Sequence, residues 1–256
     1  METAINFDHV TKYYRRLGVL SDVSFQVRKG ECTGLVGVNG AGKTTCIKSL
    51  LDFCDIESGN ISIFGVDHRD TVARKNLTYL PEKFTPPYYL TGSDFLDYMA
   101  DLHHVENIEE EMLALLRILD LDPAALGKPV RTYSKGMGQK LGLVSCFLSH
   151  KELMIFDEPM TGLDPRARAL LKQHLVTLKG QGQTLFYSTH LLEDIEALCD
   201  QVIILHSGRV CFTGTIDDCC SKYKGRNLEA AYLACIENAD RAGLQEKTHS
   251  GNTGYQ

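Results

Sequence analysis

Hydrophobic and polar residues alternate along the first thirty residues with a period of two, which is typical of β-strands. The alternation predicts two strand faces, formed by Ile5, Phe7 and His9 and by Val23, Phe25 and Val27. Gly30 marks the turn after them, and residues 58–60 are predicted to form another turn before a strand at 61–64. The N-terminal part is therefore predicted to consist mainly of strands.

A short apolar run at residues 32–38 is predicted to be a strand, because such runs are typical of strands buried on both faces. It leads into a glycine-rich turn and a predicted helix at 43–52. After residue 153, strands and helices alternate. The predicted elements there are strands at 153–156, 184–188 and 202–205 and helices at 166–178 and 191–198. This order predicts an α/β fold with a mainly parallel sheet that helices cover on both faces.

Helical patterns replace this alternation between about residues 86 and 150. The predicted helices lie at 93–103, 108–119 and 135–149, and Ser93 is the predicted N-cap of the first because acidic residues follow it. The chain is thus predicted to divide into three parts. These are a core of residues 1–85 and 151–220, a helical subdomain of residues 86–150, and a C-terminal helix with a flexible tail at residues 221–256.

Composition excludes some classes of protein. The net charge of −6 argues against a general affinity for nucleic acid, which needs a basic face. No segment has the roughly 20 consecutive apolar residues of a membrane span. Residues 1–10 lack the basic start and apolar stretch of a signal peptide. The nine cysteines include no Cys-x-x-Cys pair, so most are predicted to be small buried residues in a reducing compartment.

The octapeptide at residues 37–44, GVNGAGKT, fits the pattern Gly-x4-Gly-Lys-Ser/Thr. Glycines allow the backbone to curl around phosphate oxygens, and the positive end of the following helix faces the same oxygens. Lys43 is expected to reach the β- and γ-phosphates, and the Thr44 hydroxyl to bind Mg²⁺. The residues predicted to bind nucleotide here are Asn39, Gly40, Ala41, Gly42, Lys43, Thr44 and Thr45. A chance match is the alternative, and the strand before the loop and the helix after it count against that.

The apolar strand at residues 153–156 ends in Asp157 and Glu158. A carboxylate at the end of a buried strand can reach Mg²⁺, and a second carboxylate beside it can polarise an attacking water. Two acidic residues after a strand also occur at the start of a helix or turn. These residues alone leave the class of P-loop protein open between kinase, GTPase, motor and transporter.

Further motifs follow one another along the chain in a particular order. They are Tyr14, the segment YSKGM at 133–137, Asp157-Glu158-Pro159, GLDP at 162–165, and Ser188-Thr189-His190. Together they resemble the base-stacking aromatic residue, signature, Walker B motif, D-loop and H-loop of ABC-type ATPases. The resemblance covers about residues 3–215. It implies a P-loop NTPase core of the RecA-like type, with an antiparallel β subdomain and an inserted helical subdomain.

The resemblance also implies the roles of individual residues. Tyr14 would stack on adenine, Asp157 would position Mg²⁺ together with Thr44, Glu158 would be the general base, and His190 would contact the γ-phosphate and hold Glu158 in place. Non-functional interpretations stay open for two of these residues. Tyr13 or Tyr14 could simply be an aromatic residue of the strand, and His190 could have a structural role.

In the same family, the signature faces ATP that is bound to another subunit. Ser134 and Gly136 would therefore begin a helix whose positive end contacts the partner's ATP. A dimer would be needed to complete each site, and the presence of both half-sites in one chain favours a homodimer. ATP and Mg²⁺ are the implied ligands.

The chain departs from the family pattern at three positions. Glu82 stands where the Q-loop usually has Gln, and it could bind Mg²⁺ through oxygen while adding charge. Lys135 and Met137 replace Gly and Gln in the signature. Such departures, and the helical pattern at 227–234, resemble the ABC ATPases that serve ABC-2 type membrane subunits, many of them exporters.

Two other pairs of adjacent residues could bind metal, but a non-functional interpretation is favoured for both. Cys219-Cys220 has no ligand-spaced partner nearby, and His103-His104 fits a solvated helix end. The leading functional hypothesis is the energy-coupling ATPase of an exporter, bound to separately encoded permease subunits at the cytoplasmic face of the membrane. The alternatives are an ABC ATPase that remodels a complex, or one that serves assembly or regulation of a membrane complex.

Overall fold

The computed structural model of the chain describes residues 2–250. Its strands are β1 (Thr3–Tyr14), β2 (Leu17–Arg28), β3 (Cys32–Val36), β4 (Ser58–Ile63), β5 (Val66–Asp67), β6 (Leu77–Leu80), β7 (Leu153–Asp157), β8 (Thr184–Thr189), β9 (Gln201–His206) and β10 (Arg209–Gly214). Its helices are α1 (Lys43–Leu50), α2 (Gly92–His103), α3 (Glu109–Ile118), α4 (Lys135–Leu148), α5 (Pro165–Gly180), α6 (Leu192–Leu198), α7 (Ile216–Tyr223) and α8 (Leu228–Ser250).

Six strands form a mainly parallel sheet in the order β10-β9-β3-β8-β7-β6, in which β10 is antiparallel to its neighbour. The helix α5 connects the parallel neighbours β7 and β8, and α6 connects β8 to β9 on the other side of β3. Because β3, β8 and β7 are adjacent and parallel, their carboxyl ends meet at one edge of the sheet, where ligands of α/β proteins commonly bind. The predicted α/β fold is confirmed.

The strands of the parallel sheet are buried on both faces. Along β7, Leu153 and Ile155 belong to one apolar cluster, whereas Met154 and Phe156 belong to another. The first cluster lies beneath the antiparallel sheet β2-β1-β4-β5 and α1, and the second lies beneath the other helices. The stacked ring of Phe25 in β2 lies 6.0 Å from Phe186 in β8, so the two sheets share one core.

The helices α2, α3 and α4 are inserted between β6 and β7. Residues 139–148 of α4 are all buried, so this helix forms the centre of the inserted part. The N-cap of α2 is Thr91, and the prediction of Ser93 is wrong. Thr91 forms a capping box with Asp94, in which each side chain accepts a hydrogen bond from the other residue's backbone N–H, at 3.1 and 3.2 Å.

The predicted alternation fails at one point of β1. His9 is exposed with φ 52°, whereas Val10 takes the buried position. The pairing with β2 shifts between Phe7 and Val10, and this β-bulge reverses the alternation. The predicted turn at 58–60 is also wrong, because these residues begin β4. Gly59 has φ +91°, and a Cβ there would lie 2.4 Å from the His9 carbonyl oxygen, so this glycine permits the close approach of the bulge.

The last part of the fold was not fully predicted. The strand β10 and the helix α7 have no counterpart among the predicted elements, and α8 extends through residue 250, past the eight residues predicted at 227–234. The remainder of the predicted tail, residues 251–256, lies outside the described residues. In the range 2–250, no helix is long and apolar enough to cross a membrane. Among the side chains described, those of residues 2–241, no group of three or more His, Cys, Asp and Glu is placed to hold a metal ion.

Candidate nucleotide site

The loop between β3 and α1 depends on glycine conformations. Gly40 and Gly42 have φ of +85° and +111°, which L-residues with side chains rarely adopt. Gly42 is the N-cap of α1, and no side chain caps that helix. The first amides of α1 are therefore free of side-chain acceptors, which suits a helix end that binds an anion.

Close packing fixes this loop from two sides. A Cβ on Gly37 would lie 2.4 Å from the Leu205 carbonyl oxygen at the end of β9. On the other side, the Gly208 N–H of the β9–β10 turn donates to the Ala41 carbonyl oxygen at 3.0 Å. Ala41 is itself buried and does not line the cleft described below. Its place is in the support of the loop.

Lys43 connects the loop with β7. Its Nζ donates to the Gly37 carbonyl oxygen at 2.7 Å and lies 3.5 Å from Glu158 Oε1. Only 6% of Lys43 and 8% of Glu158 are exposed. An ammonium group has three N–H donors, and a charge this deeply buried needs nearby anions. Lys43 is thus set to pair with negative groups in the cleft.

Asp157 and Glu158 lie side by side at the end of β7, opposite Ser188 of β8. The Ser188 hydroxyl donates to Asp157 Oδ1, and its carbonyl oxygen accepts the Glu158 N–H at 3.1 Å. Asp157 Oδ2 and Glu158 Oε1 are buried and make no hydrogen bond. Glu158 Oε1 has the Lys43 ammonium 3.5 Å away, whereas Asp157 Oδ2 has no hydrogen-bond partner among the described residues. Leaving a buried polar atom unpaired is unfavourable by about 1–3 kcal/mol, so Asp157 Oδ2 is where water or a cation would be stabilised.

His190 follows directly after β8. Its Nδ1 lies 2.9 Å from Glu158 Oε2, although its side chain is 48% exposed. The two oxygens of Glu158 therefore face Lys43 on one side and His190 on the other. Three residues that are far apart in the sequence meet at the carboxyl ends of β3, β7 and β8.

Tyr14, at the end of β1, is exposed beside the loop. Its hydroxyl contacts Cys54 and Thr45, and the hydrogen bond with Cys54 raises the pKa of Tyr14. The Lys12 ammonium lies 5.2 Å from the centre of the Tyr14 ring, and Glu57 Oε1 holds that ammonium at 3.3 Å. The ring is therefore supported and still presents a free surface.

An open cleft of about 530 Å³ joins these groups. Its lining contains ten of the predicted site residues: Tyr14, Asn39, Gly40, Gly42, Lys43, Thr44, Thr45, Glu82, Glu158 and His190. Tyr13 is equally exposed but does not line the cleft, which favours Tyr14 as the base-stacking residue. Asp157 lies buried just beneath the cleft.

Three lining residues were not predicted: Val19, Val38 and Thr161. Val38 lies within the predicted P-loop segment itself, and Thr161 lies between the Asp157-Glu158-Pro159 motif and Gly162, so its position in the sequence could have identified it. Val19 comes from β2 and is brought near only by the pairing of β1 with β2. No local sequence pattern predicts that Val19 lines the cleft.

Ser134 and Gly136 lie elsewhere, at the start of α4. Ser134 is exposed and caps the helix, accepting the Met137 N–H at 3.2 Å. A second groove runs past Ser134 and Lys135, and Glu82 contributes to both this groove and the cleft. Within the described residues the structure does not bring Ser134 or Gly136 into the cleft of Lys43 and Glu158.

Comparisons with known proteins identify ATP-binding proteins of ABC transporters as similar to this chain. A family model described as ABC transporter matches residues 20–161. An uncharacterized ABC transporter ATP-binding protein of Synechocystis sp. is 35% identical over 81% of this chain, and the Nod factor export ATP-binding protein I of Rhizobium etli is 35% identical over 81%. The chain spans 61% and 66% of these two relatives. It spans 93% of YthP, an uncharacterized ABC transporter ATP-binding protein of Bacillus subtilis that is 36% identical over 88% of this chain.

Solved structures give the same result. The structure of an ATP-binding subunit of an ABC transporter superposes with a TM-score of 0.85 and 34% identity, covering 91% of this chain and 99% of that one. A dimeric ATP-binding cassette in a post-hydrolysis state with ADP and Pi has a TM-score of 0.75, covering 82% of this chain and 98% of that one. At 19% identity, the second structure bears on the fold alone.

Proposed function

The chain belongs to the ABC transporter family of ATP-binding proteins, and from that membership we propose that it is the ATP-hydrolysing, energy-coupling subunit of a transporter. The observation that carries the proposal is the meeting of Lys43, Glu158 and His190 in one cleft, with the Glu158 carboxylate 3.5 Å from Lys43 Nζ and 2.9 Å from His190 Nδ1. Tyr14 at the mouth of the cleft supplies the surface for a base.

Each group in the cleft has a task in hydrolysis of ATP to ADP and phosphate. Tyr14 stacks on adenine, while Lys43 and the amides of residues 39–45 hold the β- and γ-phosphates. Glu158 accepts a proton from the attacking water, and its buried position keeps that carboxylate out of bulk solvent. His190 holds the Glu158 side chain through Oε2 and contacts the γ-phosphate. A positioned base of this kind contributes about 10²–10⁴ in rate.

The residues at the cleft also fit a magnesium ion. Asp157 Oδ2 is buried without a hydrogen bond, and oxygen atoms of this kind are what Mg²⁺ prefers. We assign Thr44, Asp157 and Glu82 as the residues that hold it. Mg²⁺ would neutralise charge on the phosphate oxygens. Burial and the charges of Asp157 and Glu82 raise the pKa of Tyr79, so both carboxylates act on the same side chain beneath the cleft.

The proposed role of the signature residues depends on a second copy of the chain. Ser134 and Lys135 are exposed at the start of α4, and a groove of their own separates them from Lys43 and Glu158. A homodimer would place Ser134 and Gly136 of one copy against ATP held by the other. Binding of ATP would then join the copies, and hydrolysis would release them.

The partners in the membrane are permease subunits encoded separately, of the ABC-2 type, and the complex works as an exporter at the cytoplasmic face. The support is the resemblance at Glu82 and Lys135 and the similarity to a relative named for Nod factor export. In this arrangement residues 1–85 and 151–220 form the ATPase core, residues 86–150 the helical subdomain, and residues 221–256 the C-terminal part.

Affinity purification tests the transporter role. The tagged Glu158→Gln chain is purified from gently solubilised native membranes with MgATP, and the proteins that co-purify are identified by mass spectrometry. We expect a stoichiometric protein with several membrane spans. The matched control is Lys43→Ala, which binds ATP weakly and should retain less of a nucleotide-dependent partner. Recovery of only partners without spans, or of none, would favour an ATPase that remodels a complex.

A further inference from the structure

A chain of polar contacts centred on the buried Asp194 links β8, which precedes His190, to two helices. Tyr187 in β8 donates its hydroxyl to Asp194 Oδ2 at 3.1 Å, and Lys172 Nζ of α5 lies 2.5 Å from Asp194 Oδ1. Tyr187 is 1% exposed and the Asp194 side chain 5%. Both oxygens of Asp194 are therefore engaged, and β8, α6 and α5 are tied together at one point.

We propose that Tyr187, Asp194 and Lys172 form a clamp that positions His190 for turnover and has little influence on nucleotide binding. The residues of the clamp do not line the cleft, so they are positioning residues and act through His190. The inference rests on the proposed function of the cleft.

The path from the clamp to His190 is short. Tyr187 lies three residues before His190 and Asp194 four residues after it, so the clamp joins the two ends of the turn that carries the imidazole. Thr189 Oγ1 accepts the Leu191 N–H at 3.0 Å within that turn, and the Thr189 side chain also contacts Tyr187. Each side of His190 is thus fixed to the clamp.

His190 needs such support because its surroundings do not immobilise it. About half of its side chain is exposed, and its ring is held at Glu158 by a single hydrogen bond of 2.9 Å. The backbone of residues 189–191 therefore determines where the ring can reach. A misplacement of about 1 Å in a catalytic arrangement can lower a rate about 10²-fold.

Stability alone is a weak reason for this clamp. Removing the aspartate from water is unfavourable, while Lys172 stays 29% exposed, and well-packed apolar residues often stabilise a core as well as an ion pair does. A buried hydrogen-bonded pair does fix one geometry. Burial and the charge of Asp194 raise the pKa of Tyr187, so the phenol keeps its proton and donates to Asp194 throughout the physiological range.

The first test separates turnover from binding. Tyr187→Phe removes one hydroxyl from the clamp, and we expect kcat to fall roughly tenfold or more while KM for ATP changes less than about twofold. Tyr223→Phe is the matched control, because that hydroxyl also donates a hydrogen bond, to the Cys211 carbonyl oxygen at 3.2 Å, but lies away from the cleft. Equal kcat in Tyr187→Phe and the parent would overturn the proposal.

A double-mutant cycle shows whether the clamp acts through His190. In a His190→Ala background, Tyr187→Phe should lower kcat no further, because the ring that it positions is gone. If the two substitutions multiply their separate effects, the clamp acts by another route and the proposal is wrong. Lys172→Met, which replaces the ammonium with an unbranched and slightly shorter apolar side chain, gives a second cycle if Tyr187→Phe unfolds at assay temperature.

One readout does not depend on ATPase activity. The Cε1–H resonance of His190, assigned by its loss in His190→Ala, should shift or broaden in Tyr187→Phe and stay unchanged in Tyr223→Phe. An unmoved resonance would contradict the clamp even if the chain hydrolyses ATP. Conversely, a parent chain without ATPase activity would refute the proposed function, while the resonance would still decide whether the clamp holds His190.

Discussion

Two regions of the molecule carry the motifs of one ATPase, and they are built in opposite ways. Around Lys43 and Glu158 the reacting groups are almost completely buried and contact one another. At the start of α4, Ser134 and Lys135 are exposed, and the Ser134 hydroxyl accepts a hydrogen bond from the Met137 N–H of the same helix. The first region brings its proposed reacting groups together in one cleft, whereas in the second Ser134 and Lys135 stay exposed while Gly136 lies close to Gly162.

The difference lies in what each region lacks. The cleft holds buried carboxylate oxygens without hydrogen bonds, so a ligand or cation would relieve an unfavourable state there. The start of α4 has its cap satisfied, and Gly136 packs against the neighbouring loop, since a Cβ on it would lie 2.9 Å from the Gly162 carbonyl oxygen. On the proposed function, the cleft would take nucleotide and Mg²⁺, and the α4 surface would meet a second copy of the chain.

The largest expected effect tests the cleft. Glu158→Gln keeps the shape of the side chain but removes the base, so turnover should fall by about 10²–10⁴ while ATP binding remains. The variant should also accumulate as an ATP-bound dimer, because the step that separates the copies is blocked. Phosphate release and light scattering after size exclusion measure the two results.

Glu106→Gln is the control for that change. Glu106 is an exposed carboxylate near the end of α2, away from the cleft. It should hydrolyse ATP as the parent does and remain a monomer at the same concentration. A parental rate in Glu158→Gln would remove Glu158 from its assigned role as base.

The outward-facing region is tested by a smaller change. Gly136→Ala places a methyl group against the Gly162 carbonyl oxygen, and such overpacking disturbs a structure by about 1–3 kcal/mol. Because the start of α4 or the loop at Gly162 must shift to admit the methyl group, we expect turnover to fall roughly tenfold, with ATP binding to the isolated chain unchanged. Titration calorimetry measures the binding, and the ATPase rate measured against protein concentration reports pairing of the copies.

The same helix supplies a matched control. A Cβ on Gly138 would meet nothing within 4 Å, so Gly138→Ala adds the same methyl group without strain. It should keep parental turnover. A fall in ATP affinity in Gly136→Ala would mean that the two regions are coupled within one chain, and the contrast between them would be weakened.

Features that depend on residues close together in the sequence could be predicted, whereas features that depend on distant residues could not. The loop at 37–44 and the pair Asp157-Glu158 are local patterns, and the order of strands and helices places them at the same edge of a sheet. The α/β fold followed from that order. The failure at His9 had a local cause that alternation cannot reveal, because a β-bulge depends on the partner strand.

Residues that meet only through tertiary contacts could not be predicted from the sequence. Val19 enters the cleft through strand pairing, and the contact of Tyr187 with Asp194 requires the turn after β8 to bring α6 back onto the strand. None of these three residues belongs to a motif that the sequence analysis identified. The strand β10 and the helix α7 were missed because they are short, at six and eight residues, and the tertiary contacts of α7 and α8 with each other and with β10 stabilise them.

The neighbouring tyrosines Tyr13 and Tyr14 differ in whether they line the cleft. The two rings are 45% and 43% exposed, but only Tyr14 lines the cleft. Tyr14→Ala should weaken ATP binding by about 0.5–1.5 kcal/mol, roughly the value of an aromatic stack, and Tyr13→Ala should leave it unchanged. Binding of a fluorescent ATP analogue measures both. The reverse ranking would assign the stacking surface to Tyr13.

The smallest expected effect concerns Glu82, which lines both the cleft and the groove beside Ser134. Glu82→Gln restores the amide that is usual in the family and removes one negative charge from an exposed position. Since an exposed charge typically contributes about 0.2–1 kcal/mol, the apparent affinity for Mg²⁺ should change by roughly fivefold or less. Titration of ATPase activity with Mg²⁺ at fixed ATP measures this, with Glu106→Gln as the control. A loss of activity comparable to that of Glu158→Gln would mean that Glu82 belongs to the reacting groups of the cleft, and that the boundary between the two regions runs through the groove beside Ser134.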